Sequence, residues 1–565
     1  MKKLFVFLIL FSIGGFSCTT MLVTKEASND GSIFVTHSVD DEVGDPRIVY
    51  IKAKDFPKGS KRPIFPSSYD RYPRNVGNYF SCVYETEGYP TTKPIGYIDQ
   101  VLHTYAYFEG NYAIMNEHQL AIGECTNSSK FIFMKPSKDR IFHISTLAII
   151  ALERCKEAKE AIILMGKLAE QYGYYGMGET LLLGDKKEGW VFEISCDPEG
   201  KSAVWVAKRV PDGEFFVSAN IFRIRDVDTN DPDMMYSSNL FTIAKKYKWF
   251  DPLKGEKLDW LEAVSPGEYN HPYYSLRRIW RIFSLVNPSL NLSPWVKNGY
   301  SRDYPFSIKP QKKISLREIM KLHRDYYQGT QFDLSKGLAA GPFECPYRYI
   351  GPYDPAQNLV TKGMKIEGAW ERPVSIFYCG NVNVNQIRPD LPDPIGGIAW
   401  VGLDYPTTNC FVPFYCGIYG LPNSYEYCNP NKFNRDTAWW AYNFVANFAG
   451  LKFSYMIKDI RKEQGEIENQ EINQIASIDQ KALSLYRSNP IKARQYLTKY
   501  CINNADQVLK KWWKLADNLI QKYTDGYINH PKIAQEVGYP KWWREKVGYL
   551  EGPTTYQKPP NTTDD

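Results

Sequence analysis

A chain of 565 residues, 43% hydrophobic and 15% aromatic, can bury a large core, and its length favours two or more structural units over one small domain. Its formal charge of +6 is spread along the sequence with no Lys/Arg-rich block, which gives no footprint for nucleic acid or for an acidic membrane surface. Small neutral or mixed-charge substrates suit that balance better.

The first element reads as a secretory signal. Lys2 and Lys3 form a basic head, and Leu4 to Phe16 form an apolar run shorter than the about 20 residues that span a bilayer. Gly15-Phe16-Ser17 then puts small residues where signal peptidase reads them. Residues 1–17 are therefore expected to be removed, leaving Cys18 as the first residue of a periplasmic or secreted protein. Such a cysteine carries a thiol and an α-amine on adjacent carbons, so nucleophile and base arrive on one residue. A surface lipoprotein also has a cysteine after its apolar run, but its usual box has Leu or a similar residue where this chain has Gly15. Lipidation would cap both thiol and amine, so the two readings exclude each other, and no stable membrane anchor is expected.

Thr19–Thr24 and Ser32–Thr36 read as strands, joined through a turn at Asp30-Gly31. The hairpin starts on Cys18 and brings Asp40 back beside that start. A helical stretch from Ile144 to Tyr172 and a strand from Trp190 to Ile194 follow, in a mixed α and β body that runs to residue 435. Thr437–Lys462 and Asn503–Tyr523 have apolar positions at helical spacing, with Asp436 as a predicted N-cap and Gly526 as a stop. The expected organisation is a signal (1–17), a catalytic body (18–435), a helical C-terminal region (436–553) and a disordered polar tail (554–565).

Setting Cys18 aside leaves ten of the eleven cysteines, but their spacing gives no disulfide framework, and buried thiols are the first expectation for them. The seven histidines form no HExxH, and no CxxC occurs, so neither a structural nor a catalytic zinc is supported and no cofactor is expected. No GxSxG elbow or P-loop is present.

The run Cys-Thr-Thr-x-Leu-Val-x-Lys-x-Ala-Ser-x-Asp-Gly-Ser from Cys18 to Ser32 resembles the opening of bacterial cysteine dipeptidases, members of the N-terminal-nucleophile hydrolase superfamily related to penicillin V acylase and bile salt hydrolase. The likeness continues in order through Met115-Asn116-Glu117-His118, Gly178-Glu179-Thr180, Val217-Ser218-Ala219-Asn220, Arg277-Arg278-Ile279-Trp280-Arg281, Ala340-Gly341-Pro342-Phe343 and Leu391-Pro392-Asp393-Pro394. It implies an α+β fold, a four-layer αββα sandwich with the nucleophile at the head of a central strand and an added helical C-terminus. It also implies Cys18 as nucleophile with its own amine as base, Asp40 holding the amine, Asn220 and the backbone of Asn116 donating to the oxyanion, and Arg278 stabilising the charges. Arg277 beside Arg278 leaves that register open by one.

The acylases carry an arginine three residues before the aspartate, where this chain has His37, which moves the resemblance toward the peptidases. His37 and Asp41 are candidate substrate contacts. The acids Asp40-Asp41-Glu42 and the loop to Asp45 would receive the free ammonium of a dipeptide, whereas an acylase of N-acyl amides would need an apolar pocket there. The expected partners are small peptides, with oligomeric state open.

Overall fold

The computed structural model describes residues 18–41, 44–67, 72–269, 272–349, 370–530 and 532–548. The expected signal, Glu42 and the polar tail lie outside these described residues.

The predicted hairpin is present. Strand Thr20–Val23 pairs with Ile33–Asp40 through Leu22 with Val35 and Val23 with Phe34, and Thr19 bridges Ser38. Gly31 turns the chain with φ of 74°, and Asp30 Oδ1 accepts from the backbone N–H of Ser32 at 3.0 Å. This hairpin lies inside a six-stranded antiparallel sheet ordered Phe215–Ser218, Thr20–Val23, Ile33–Asp40, Cys379–Ile387, Gly397–Leu403 and Val412–Tyr415. A second sheet of eight strands runs Met234–Tyr236, Ala203–Arg209, Gly189–Cys196, Gly178–Gly184, Ala121–Asn127, Tyr112–Asn116, Tyr107–Gly110 and Val49–Ile51.

The sheets stack face to face, closely enough that side chains are excluded at several points. A Cβ on Gly123 would lie 2.3 Å from the carbonyl oxygen of Thr36, and one on Gly189 would lie 2.6 Å from Leu22. Ile33–Asp40, Gly178–Gly184 and Gly189–Cys196 are buried at every residue, without the alternation of a sheet wetted on one side. Helices cover the outer faces. Ile144–Arg154 and Ala158–Tyr172 lie on the eight-stranded sheet, while Leu276–Val286, Ala438–Ala449 and Pro490–Tyr523 lie on the six-stranded one. The architecture is the expected αββα sandwich.

Two helical expectations need correction. The stretch Ile144–Tyr172 is two helices, broken where Cys155 is extended at φ −117° and ψ 152°. The second helix begins on a carboxylate borrowed from the sheet, with Asp185 Oδ2 accepting from Ala158 N at 2.7 Å. In the C-terminal region, Thr437–Lys462 is divided between Ala438–Ala449 and Phe453–Ser488, and Asp436 caps neither, since Thr437 occupies the N-cap. Asn489 separates Phe453–Ser488 from Pro490–Tyr523, which opens on Pro490, with Asn489 Oδ1 accepting from Ile491 N and Lys492 N. The two long helices fold back on each other and share one apolar core with the six-stranded sheet. Tyr442 and Trp512 pack within it with tilted rings 5.0 Å apart, and the buried Gln464 side chain donates to Asn409 O. The helical C-terminus is thus an outer layer of the sandwich itself.

Candidate active site around Cys18

Pairing of Thr19 with Ser38 sets Cys18 beside the end of the neighbouring strand. Thr19 N donates to Ser38 Oγ at 3.0 Å, and Ser38 N donates to Thr19 O at 3.1 Å. Asp40, two residues further on and fully buried, accepts from Ser38 Oγ at 3.3 Å and from Arg372 Nη2, both through Oδ2. Its other oxygen, Oδ1, is buried without a hydrogen-bond partner among the described residues.

The helix Leu276–Val286 brings Arg278 to Cys18. Nη1 donates to Cys18 O at 2.9 Å and to Thr19 Oγ1 at 3.0 Å, while Nη2 donates to Asn220 Oδ1 at 2.7 Å and Ala219 O at 3.2 Å. Arg277 faces elsewhere, pairing with Glu371 at 3.0 Å and lying against the rings of Phe332, Tyr273 and Trp295. Of the adjacent pair it is Arg278 that contacts Cys18. Asn220 follows the edge strand Phe215–Ser218 in a left-handed turn with φ of 60°. Its backbone N–H points to Cys125 Sγ at 2.9 Å, and its Nδ2 donates to Thr126 O at 2.6 Å. Cys125 in turn donates to Cys18 O at 3.3 Å.

Asn116 is not part of this group. Its backbone N–H is spent on Leu120 O at 3.0 Å, closing a hairpin, and its Nδ2 donates to Leu152 O and Cys155 O at the end of a covering helix. Cys125 sits four residues into the strand that leaves this hairpin at Ala121, about 13 Å along it. The expected backbone donor is therefore corrected: Asn116 ties a turn to a helix end, and its N–H does not face Cys18.

His37 is buried, with Nε2 3.2 Å from Glu124 Oε2 and its ring edge-on to Tyr112 at 5.4 Å. Glu124 carries no sequence motif of its own, which is why only the fold exposes it. Asp41 is half-buried at the strand end, its Oδ2 near Gly44. Asp45 is committed to a bidentate pair with Arg47, Nε donating to Oδ1 at 2.8 Å and Nη2 to Oδ2, so it is no open receptor for an ammonium. All eleven cysteines are free thiols, nine of them buried.

Residues 17–466 match the protein family described as peptidase family C69. The chain belongs to peptidase family C69. Among its relatives, a probable dipeptidase of Salmonella dublin is 26% identical over 424 residues, covering 74% of this chain and 86% of that protein. A probable dipeptidase of Latilactobacillus sakei is 24% identical over 439 residues (76% and 80%), and dipeptidase A of Lactobacillus helveticus is 22% identical over 457 residues (77% and 82%). A solved penicillin V acylase from Agrobacterium tumefaciens aligns at 11% identity with a TM-score of 0.28, covering 70% of this chain and 86% of that one.

In this C69 family member the electrostatics around Cys18 are set by burial. Cys18 is held well above the usual thiol range, first by its burial and then by the carboxylates Glu124 and Asp40, so its resting form is the neutral thiol. Burial alone would raise Glu124 too, but its contacts with His37, Glu179 and Thr126 outweigh that and leave it ionised. Glu179 goes the other way, pushed well up by burial and by the charge on Glu124, so the two carboxyls share one proton. Among the described residues no helix is long and apolar enough to cross a membrane.

Proposed function

We propose that this chain is an exported cysteine dipeptidase, hydrolysing unblocked dipeptides with an N-terminal cysteine that signal cleavage exposes. The family match over residues 17–466 carries this reading, and the relatives named dipeptidases support the substrate class. Cleavage between Ser17 and Cys18 frees an α-amine, a group that titrates near 7.7 to 8.0 when unperturbed. Because burial keeps Cys18 a neutral thiol, its proton must leave as the sulfur attacks, and the amine on the same residue is the base. Asp40 orients that amine through Oδ1, since Oδ2 is taken by Ser38 and Arg372.

Attack of Sγ on the peptide carbonyl places the developing negative charge beside Asn220, whose side-chain amide carries two donor hydrogens. Arg278 fixes nucleophile and donor together by bonding to Cys18 O and Asn220 Oδ1. The protonated α-amine then gives its proton to the departing amine, the C–N bond breaks, and a thioester remains. Water attacks the thioester with the amine again as base, releasing the acid and restoring the thiol. Asp41, beyond Asp40 at the strand end, receives the substrate ammonium. A lipid anchor on Cys18 is disfavoured because an anchor point would not require Asp40, Asn220 and Arg278 gathered around it.

The test is the intact mass and N-terminal sequence of protein from the exporting cell, with a substrate panel run on the same sample. The chain should start at Cys18 without a diacylglyceryl mass and cleave free dipeptides faster than tripeptides, N-acetylated dipeptides or penicillin V. Full activity with Ser17 still attached, or faster cleavage of the N-acylated compounds, would overturn the proposal.

A further inference from the structure

The nucleophile shares its surroundings with two side chains that the proposed mechanism leaves unused. His37 Nε2 and Glu124 Oε2 pair with each other at 3.2 Å, and neither atom hydrogen-bonds to any other described residue. Both residues are 1% exposed. A buried pair with no further partners is only partly compensated for its lost hydration, and both atoms lie close to the Cys18 sulfur. One ligand atom from each of Cys18, His37 and Glu124 lies within 4.8 Å of the other two.

We propose that Cys18, His37 and Glu124 form a zinc site that reversibly locks the nucleophile. The donor set is the reason for the choice of metal. A thiolate, an imidazole and a carboxylate suit a borderline-soft tetrahedral ion, whereas calcium and magnesium take six or more oxygens. The spacing agrees: with zinc–ligand bonds of about 2.0 to 2.3 Å, donors at tetrahedral corners stand about 3.3 to 3.8 Å apart. The His37–Glu124 separation of 3.2 Å is already close to such an edge. Binding converts the Cys18 thiol to a zinc thiolate and releases its proton to solvent, while His37 binds as neutral imidazole and Glu124 as carboxylate.

The fourth position falls to the Cys18 α-amine, which would close a five-membered chelate ring with Sγ. That part, and the consequence for catalysis, rest on Cys18 being the exposed N-terminal nucleophile; the three side-chain ligands do not. With zinc bound, the sulfur lone pair is engaged by the metal and the base has lost its own, so hydrolysis stops without covalent damage. Removal of the metal restores both groups.

Cobalt titration of the purified signal-free protein tests the site directly, because a thiolate bound to cobalt gives a near-ultraviolet charge-transfer band and a tetrahedral site gives strong visible bands. One cobalt per chain should bind with both signals, and stoichiometric zinc should displace it. Cys18→Ala should lose the charge-transfer band. His37→Ala and Glu124→Gln, checked for folding by circular dichroism, should each weaken zinc binding by more than about 100-fold, beyond the 10- to 100-fold that losing an outer partner costs. Absence of the charge-transfer band in the wild type, or unchanged zinc affinity in folded His37→Ala and Glu124→Gln, would overturn the site. Hydrolysis in metal-free buffer is measured separately: its absence would refute the dipeptidase reading and leave the binding result intact, and activity indifferent to bound zinc would refute the lock.

Discussion

Arg278 donates through Nη1 to the main-chain carbonyl of Cys18 at 2.9 Å, tying the first strand to a helix 260 positions later in the chain. The same guanidinium bonds Thr19, Ala219 and Asn220, so the head of the strand and the turn carrying Asn220 move as one body. Only a planar fork can serve that many acceptors in fixed directions.

Replacing Arg278 by Lys should therefore cost both activity and stability. A single ammonium cannot reach all of these oxygens, and each buried acceptor left unmet costs about 1 to 3 kcal/mol. Steady-state kinetics should show kcat reduced by roughly 10²-fold, as expected when reacting groups lose their alignment. Urea denaturation should show a lower midpoint. Wild-type values in both measurements would remove Arg278 from the positioning role.

Asn220 can be tested without confusing backbone strain with chemistry. Its φ of 60° suits Asn and Gly but strains Ala by about 1 to 2 kcal/mol. Asn220→Ala and Asn220→Gly should both lower kcat by roughly 10²- to 10³-fold, the usual loss for one oxyanion donor, while Ala alone adds the strain penalty to unfolding. Near-normal turnover in the Gly variant would show that the amide is dispensable.

Asn116→Ala should behave in the opposite way. The side chain donates to Leu152 O and Cys155 O and accepts from His118 N and Leu120 N, all within a turn and a helix end. Its loss should lower thermal stability by about 2 to 3 kcal/mol, with kcat per folded molecule unchanged. A kcat loss comparable to that of Asn220→Ala would return Asn116 to the site.

Asp404 gives the protein a pH dependence separate from catalysis. Burial pushes its carboxyl up to about 7, against bonds from Asn443 and from the backbone of Tyr405 that pull it down. The folded pKa lies above the unfolded value of about 3.9, so the folded state holds the extra proton between these values and stability falls as pH rises through that window. Asp404→Asn removes the penalty and keeps an acceptor for Asn443 Nδ2, and the left-handed φ of 61° tolerates Asn. Urea midpoints should show the variant stabilised by on the order of 3 kcal/mol at pH 8 and little changed at pH 4. Equal stability at both pH values would mean that the carboxyl is not buried as described.

The fold was legible where the signal was local. Asp30-Gly31 marked the turn, β-rich runs on either side of it marked its strands, and the return to Asp40 followed from pairing them. Helix ends were less legible because distant groups supply them. Asp185 in the sheet starts the helix at Ala158, and no window of sequence around Cys155 contains that carboxylate.

By itself the sequence determined the residue that opens the first strand, the hairpin that returns Asp40 to it, and the family to which the ordered motifs belong. These rest on neighbours in the chain or on motif order, which a linear string records in full. The tertiary structure alone decided that Arg278 reaches Cys18 while its neighbour Arg277 turns to Glu371 and the aromatic rings, that Asn116 belongs to a turn, and that Glu124 stands beside His37 and Cys18. Adjacent residues on a helix point about 100° apart, and which of them meets a strand depends on how the helix is laid against the sheet. That choice is made by packing between segments hundreds of residues apart, so it enters only when the two sheets close on each other.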